Sequence, residues 1–287
     1  MTDRSDWYIE YFESAGTAFG LKLKNARRLD AVQSPYQNIE IWDTETFGRL
    51  MTIDGATMVS TRDNFLYHEM MSHPALFAHA NPKRVAIIGG GDCGTLREVL
   101  KHPGVESATQ IDIDEQVTRL SEKYFPELCE KNADPRAHLL FIDGVQWVKD
   151  QPAESLDIII VDSTDPVGFA EGLFKVEFFK DCIRILKKGG VIVQQSESPL
   201  LHSATIIRDL HKNMRAAGFT HTQTLPFPQI VYPSGWWSCT LAGKDCDVAT
   251  FRERDARAKA FDSLYYSADI HKGALTLPPF MQKAIAQ

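Results

Sequence analysis

The residues of this chain best suited to chemistry are acids that follow apolar, strand-like runs. Arg84-Val85-Ala86-Ile87-Ile88 leads into Gly89-Gly90-Gly91-Asp92-Cys93-Gly94, and a helical pattern starts at Thr95 with Leu96, Val99 and Leu100 on one face. Glycines admit positive φ and close backbone approach, and the following helix offers unpaired N–H groups, so the loop suits a nucleotide. A loop built only for pyrophosphate would not carry a carboxylate. Asp92 therefore points to a ligand that is cationic, or at least not phosphorylated, at this place. Asp112 lies twenty-three positions after Gly89, close to the offset at which an acid reaches ribose hydroxyls. Asp114 stands beside it, and either acid could instead cap the helix that follows. Asp143-Gly144 could accept a bond from an adenine amino group, and is equally ordinary turn material. In Asp162-Ser163-Thr164-Asp165-Pro166 two carboxylates three residues apart, the second stiffened by Pro166, could converge on an ammonium group. The same string is good material for a turn and a cap. Acids at four successive strand ends exceed what caps require, and a cleft lined by them suits a cation.

His68-Glu69-Met70-Met71-Ser72-His73 has a superficial likeness to a zinc helix. Its histidines are five apart, about 140° around a helix, whereas zinc needs them four apart on one face. No metal site is expected.

These acids need strands to hold them. Residues 7 to about 61 read as short strands, 19–23, 39–42, 49–53 and 57–60, with turn signals at Phe47-Gly48 and Asp54-Gly55. A helix is expected over 63 to about 79, capped by Asp63 and bent or ended by Pro74. From Val85 strands alternate with helices: 85–88 then 95–102, 108–113 then 115–124, 138–142 then 144–149, 156–161 then 175–186, 191–195 then 203–217. Lys187-Lys188-Gly189-Gly190 would close the helix at 175–186, and strands at 220–224 and 236–242 would finish the sheet as an antiparallel pair. The alternation demands an α/β fold, a mostly parallel sheet with helices on both faces, preceded by a small antiparallel β-domain. The domain boundary falls between residues 62 and 63. In such open sheets ligands bind at the carboxyl ends of the strands, where the strand order reverses.

The composition agrees. The 287 residues, 44% of them hydrophobic, suit either one large α/β domain or one such domain with a smaller companion. The formal charge of -7 offers no attraction to nucleic acid or to an anionic membrane and suits a small cationic ligand. No run of eighteen apolar residues is present, and the polar start Met1-Thr2-Asp3-Arg4-Ser5-Asp6 lacks a signal-peptide core, so a cytoplasmic protein is expected. Cys93, Cys129, Cys182, Cys239 and Cys246 are scattered and odd in number, which indicates neither a disulfide framework nor a zinc site.

The ordered set of motifs resembles the polyamine aminopropyltransferase family. It includes Tyr36-Gln37-Asn38-Ile39, Phe47-Gly48-Arg49-Leu50-Met51-Thr52-Ile53-Asp54-Gly55, Thr61-Arg62-Asp63-Asn64-Phe65-Leu66-Tyr67-His68-Glu69-Met70-Met71 and Gly89 to Val99. It continues through His102-Pro103, Ile113-Asp114, Asp143-Gly144, Asp162 to Gly168 and Tyr232-Pro233-Ser234-Gly235, covering about residues 35–240. The resemblance implies a Rossmann-like, class I methyltransferase-type catalytic domain behind a β-domain, and a homodimer or homotetramer. It implies transfer of the aminopropyl group of decarboxylated S-adenosylmethionine, a co-substrate rather than a prosthetic group, to a diamine such as putrescine. Spermidine and methylthioadenosine are the products. By resemblance Gln37, Asp112, Asp143 and Gly144 hold the nucleoside, and His68 and Asp92 lie along the aminopropyl channel. Tyr67, Asp162, Ser163, Thr164, Asp165 and Tyr232 surround the attacking amine, with Asp162 as proton acceptor. Asp92 would repel the carboxylate of ordinary S-adenosylmethionine and attract the decarboxylated donor. Cys93 departs from the family's usual small residue and reads as a tolerated side chain rather than a nucleophile. Phe169, where many members have Pro, would reshape the loop over the donor, and Trp236-Trp237 leaves the acceptor's length open. A putrescine or other small-molecule N-methyltransferase using S-adenosylmethionine, and a non-catalytic polyamine-binding protein, are the alternatives. A nicotinamide dehydrogenase is disfavoured by the acid in the loop.

Overall fold

The computed structural model describes residues 8–14, 17–165 and 168–286. Pro166 and the Phe169 side chain, on which two expectations rest, fall outside what is described. The chain opens with an antiparallel hairpin, β1 (Tyr8–Ser14) and β2 (Thr17–Leu23). A four-stranded antiparallel sheet follows in chain order: β3 (Arg27–Gln33), β4 (Asn38–Thr44), β5 (Gly48–Ile53) and β6 (Ala56–Ser60). Asp54 and Gly55 between β5 and β6 both hold positive φ, as a tight hairpin requires. The sequence pattern had left β1 and β3 unread.

Helix α1 (Asn64–Ala78) leads to β7 (Arg84–Gly89), α2 (Gly94–Leu100), β8 (Ser107–Asp112), α3 (Glu115–Tyr124), β9 (Ala137–Phe141), α4 (Gly144–Asp150), β10 (Leu156–Asp162), α5 (Val176–Ile185) and β11 (Leu186–Gln195). Strands β12 (His221–Pro228) and β13 (Trp236–Gly243) complete a seven-stranded sheet of order β12-β13-β11-β10-β7-β8-β9. Strands β7 to β11 run parallel, whereas β13 runs antiparallel to both β11 and β12, the expected pair. Alternate residues of β10 go to opposite cores. Ile158 and Ile160 pack with α1 and α2, while Ile159 and Val161 pack with Phe178, Phe179 and Cys182 of α5. Burial on both faces is why this strand reads as an unbroken apolar run.

Four expectations are corrected. Pro74 neither ends α1 nor stands at its edge, since the helix continues to Ala78. The carbonyl of Met70, which a residue other than proline at 74 would bond, accepts instead from the Cys239 thiol at 3.4 Å. Asp63 precedes α1 without capping it: its carboxylate accepts from the Ser60 hydroxyl at 2.5 Å and the Val231 N–H at 3.1 Å. Lys187-Lys188-Gly189-Gly190 lies inside β11, where it forms an irregularity between the pairs Leu156↔Leu186 and Ile158↔Val191. The helix expected over 203–217 starts earlier and is broken into Pro199–His202, a π turn at Ser203–Ile207 and Arg208–Ala217.

The strand order reverses between β7 and β10: the chain moves outward through β8 and β9, then crosses back to β10 on the other side of β7. Gly89 and Asp162 are register partners at the carboxyl ends of those two strands. That is where an open α/β sheet binds its ligand.

Candidate active site

A cleft of about 1060 Å³, measured out to its open mouth, lies over this reversal. Gly89 to Asp92 form one wall, Asp112, Ile113, Asp143 and Gly144 the floor beyond it, and Asp162 to Thr164 the opposite side. Tyr36, Gln37, Met51 and Met58 of the antiparallel sheet close it from above. A smaller pocket continues from it past Tyr67, Ser163, Thr164 and Tyr232 to Asp165, Gln195 and Trp237. The shape is a large chamber with a narrow extension, and the two share the Tyr67 and Ser163 region.

Asp162 stands at the junction. Gly89 holds φ +85, and a Cβ there would collide with the Asp162 carbonyl, which accepts from the Gly90 N–H at 2.7 Å. Glycine thus brings the loop against the end of β10. One carboxylate oxygen of Asp162 accepts from the Tyr67 hydroxyl and the other from the Thr95 hydroxyl, both at 2.6 Å. Two neutral donors fix both oxygens. Burial, and then the charge of Asp92, raise the Asp162 carboxyl above its ordinary range. The Tyr67 hydroxyl is pushed up likewise, by burial and then by Asp162, so it stays a donor.

Asp92 is in a different state. Burial would raise its carboxyl, but His68 and the Gly94 N–H outweigh that and hold it below the usual value. Gly94 N–H donates to Oδ1 at 2.8 Å, and His68 Nε2 lies 3.1 Å from Oδ2. A Cβ on Gly94 would collide with the His68 ring, so this glycine is what lets the imidazole lie against the loop. His68, expected to line the channel, is instead buried behind Asp92 and touches neither cavity. It orients the acid that does.

The ambiguous pair resolves. Asp114 caps α3 through the Gln116 N–H, and its other oxygen accepts from Ser34 and from Gln37 Nε2 at 2.6 and 3.0 Å. Gln37 therefore lines the cleft while its amide is tied to Asp114. Asp112 faces the cleft, with Oδ1 accepting from the Asp114 N–H at 2.8 Å, and burial pushes its carboxyl up to about 6. Asp143 does cap α4, through the Val145 and Gln146 N–H groups on Oδ1, and it lines the cleft as well. Tyr232 gives its hydroxyl to the Met58 carbonyl at 2.6 Å, so it offers its ring, edge-on to Tyr67, rather than a free hydroxyl. Ser163 turns its hydroxyl to the Thr164 carbonyl.

Two residues at and just beyond the end of β11 went unread in the sequence. Gln195 ends β11 and lines it, with Nε2 3.4 Å from the Thr164 carbonyl. Glu197, almost wholly buried and at φ +68, accepts from Gln195 Nε2 at 3.4 Å. Burial, then the Asp165 charge, push its carboxyl well above the ordinary range. Gln195-Ser196-Glu197 follows an apolar strand just as the other acids do, and the same strand-end reading applied to β11 would have found them.

The arrangement can hold an elongated cation beside a nucleoside. Residues 64–252 match the Spermine/spermidine synthase domain, and residues 6–60 match the Spermidine synthase tetramerisation domain. The whole chain is similar to a polyamine aminopropyltransferase of Xanthomonas campestris pv. campestris, 59% identical with all of both chains covered. It is also similar to one of Methylococcus capsulatus, 60% identical over 100% of this chain and 99% of that one. Among solved structures, a spermidine synthase in complex with the transition state analogue AdoDATO superposes with a TM-score of 0.93 at 35% identity, covering 100% of this chain and 97% of that one. The spermidine synthase from Thermotoga maritima superposes with a TM-score of 0.90 at 36% identity, covering 98% and 94%.

Proposed function

Because the chain belongs to the spermine/spermidine synthase family, we propose that it transfers the aminopropyl group of decarboxylated S-adenosylmethionine to putrescine, giving spermidine and methylthioadenosine. In this reading the nucleoside occupies the large chamber. Asp112 accepts from the ribose hydroxyls, and Asp143, with the Gly144 turn, offers its second oxygen to the adenine amino group. Asp92, held ionised, takes the ammonium end of the aminopropyl group. It would meet the carboxylate of ordinary S-adenosylmethionine as a like charge, which disfavours the methyl donor.

The acceptor lies in the extension, between Asp162 and Asp165. An amine with a pKa of about 10 arrives as an ammonium and must lose a proton before it can attack. Asp162 suits the task because burial raises its basicity while Tyr67 and Thr95 fix its direction. As the nitrogen displaces the sulfonium, the Asp162 carboxylate accepts the proton and methylthioadenosine leaves neutral. Alignment in the narrow junction contributes through proximity. The far ammonium rests near Asp165, Glu197 and Gln195. Residues 1–62 form the β-domain and 63–287 the catalytic domain of a cytoplasmic homodimer or homotetramer. The match to a tetramerisation domain supports the oligomer.

The single observation that carries this reading is Asp162, doubly hydrogen-bonded by Tyr67 and Thr95 where the chamber meets the extension. Asp162→Asn should lower turnover by about 10²–10⁴-fold, the usual scale for a general base, with methylthioadenosine affinity retained. Product analysis with putrescine and each sulfonium donor is the direct assay. A methylated diamine formed from S-adenosylmethionine, or amine binding with no product from either donor, would overturn the proposal. Competition among putrescine, cadaverine, agmatine and spermidine identifies the preferred acceptor.

A further inference from the structure

The residue before α1 forgoes the cap it is placed to make. Asp63 occupies the position from which an acid ordinarily accepts the first N–H groups of its own helix, a use that would stabilise α1. Its carboxylate reaches away instead. One oxygen accepts from the Ser60 hydroxyl at 2.5 Å, and the other accepts the Val231 N–H at 3.1 Å, from a loop 168 positions along the chain. The carboxylate is buried, and burial holds it above its ordinary range, a burden an exposed cap would not carry. The loop it holds joins β12 to β13 and carries Tyr232. Val231 is buried with Phe47 and Leu50, which sets its depth, and the Asp63 bond sets its direction. Ser198 holds the far side of the loop through the Ser234 hydroxyl at 2.7 Å. The Tyr232 hydroxyl is fixed on the Met58 carbonyl, so the backbone beside Val231 decides how the ring leans. That ring lies edge-on to Tyr67, with centres 5.9 Å apart, and both rings line the large chamber and its extension. Tyr67 stands about one helical turn after Asp63 and holds Asp162 by its hydroxyl. Asp63 is therefore joined to one ring through its helix and to the other through its side chain.

We propose that Asp63 is a positioning residue for the acceptor: through the Val231 N–H it sets the gap between the Tyr67 and Tyr232 rings by which the amine reaches Asp162. The effect on turnover rests on the reaction proposed above; the hold on the loop does not. Without the carboxylate the Val231 N–H is a stranded buried donor. The loop relieves it by moving toward solvent, where the neighbouring Ile230 already lies exposed, and Tyr232 is carried off Tyr67. One hydrogen bond is worth about a factor of ten in that equilibrium, and acceptor affinity falls with the fraction of loops still in place. A bound amine draws the loop back, so turnover at saturation survives.

Two substitutions separate this role from a structural one. Asp63→Ser gives α1 a good capping residue while its shorter side chain gives up Val231, and Asp63→Asn keeps one oxygen for the Val231 N–H. Each is compared with the unaltered protein by steady-state kinetics with putrescine and decarboxylated S-adenosylmethionine, methylthioadenosine calorimetry, urea midpoint and hydrogen exchange of the 229–235 amides. Asp63→Ser should raise the KM for putrescine about tenfold, while kcat and methylthioadenosine affinity change by less than about twofold, and the loop amides should exchange faster. Asp63→Asn should restore most of the KM and of the protection. A lowered urea midpoint in Asp63→Ser with the putrescine KM unchanged would leave Asp63 a structural residue and sink the proposal. So would equal losses in KM, kcat and methylthioadenosine affinity, or an Asp63→Asn protein whose KM matches that of Asp63→Ser. Unchanged exchange over 229–235 in Asp63→Ser would remove the hold itself. Absence of aminopropyl transfer in the unaltered protein would count against the proposed function alone, because exchange and calorimetric binding of putrescine still judge the loop.

Discussion

At the level of single residues the site is an exercise in giving like groups unlike states. Asp92, Asp112 and Asp162 share one cleft, yet Asp92 is pulled down by an imidazole and an N–H while burial raises the other two. Asp112, at about 6, has the most accessible consequence. If Asp112 holds the ribose as proposed, its ionised form bonds the hydroxyls best, so methylthioadenosine affinity should weaken as pH falls through 6, approaching tenfold per unit for a single linked proton. Stability should respond with the opposite sign. The folded pKa lies above the ordinary 3.8, so the ionised carboxylate costs stability above pH 6, and that cost is relieved as pH falls through 6 towards 3.8. Calorimetric binding and denaturant midpoints taken on both sides of pH 6 check the pair of trends, and Asp112→Asn should flatten both. The sequence singled out these acids because a carboxylate after an apolar strand is conspicuous. It left the capping role between Asp112 and Asp114 undecided, because Ser34 and Gln37, which turn Asp114 away, are some eighty positions distant. The resemblance places His68 along the channel, and no local pattern announces that its ring packs against Gly94 and lies on Asp92.

Elements set these residue-level distances, and α1 and α2 set most of them. Helix α1 supplies Tyr67 and His68, and α2 supplies Thr95 with Gly94 as its first residue. Gly94→Ala would drive a Cβ into the His68 ring, both of them buried; overpacking of that kind costs about 1–3 kcal/mol. The expected outcome is a lowered urea midpoint together with loss of turnover, because relief of the clash must move His68 off Asp92. Glu69, the next residue of α1, performs a different task. Its carboxylate accepts the N–H groups of Leu264, Tyr265 and Tyr266 at 2.7, 2.9 and 2.7 Å, clasping the C-terminal segment onto the helix. Glu69→Ala should destabilise the fold by about 3 kcal/mol through those stranded donors, read as a shift of the urea midpoint, and should free the segment to proteolysis. Periodicity revealed the parallel strands and most of their helices because each is an apolar stripe of adequate length. It had nothing to say of Glu253–Arg257, Ala268–Ala274 and Pro279–Ile285, short helices that follow the last strand, where no strand–helix alternation marks them. Pro74 misled in the other direction: the Cys239 thiol that takes up the freed Met70 carbonyl arrives from β13, far along the chain.

For the molecule as a whole, the question is whether the antiparallel sheet and the parallel-sheet part are separate bodies. Ile39, Ile41, Met51, Ile53 and Val59 from the former form one buried cluster with Val117, Leu120, Phe125 and Leu128 from α3 and the turn after it. Each such side chain contributes about 1.5–3 kcal/mol by burial, so parting the two faces would cost more than about 10 kcal/mol, the scale of an entire domain's stability of about 5–15 kcal/mol. Polar links reinforce the seam, since Asp114 reaches Ser34 and Gln37, and Asp30 reaches Lys123 and Tyr124. The cleft spans the same seam, with Gln37, Met51 and Met58 above and Asp112 and Asp162 below. Neither part should therefore remain folded while the other melts. Scanning calorimetry is expected to show one cooperative transition, and methylthioadenosine, which in the proposed reading occupies the cleft between the two sides, should move it upward as a single peak by an amount set by ligand concentration over affinity. A separate lower transition, traced by exchange of the β3 to β6 amides to the antiparallel sheet alone, would show that the cluster does not couple the two. In that case the cleft would lose its roof on warming before its acids lost their order, and donor binding would fail well below the main transition.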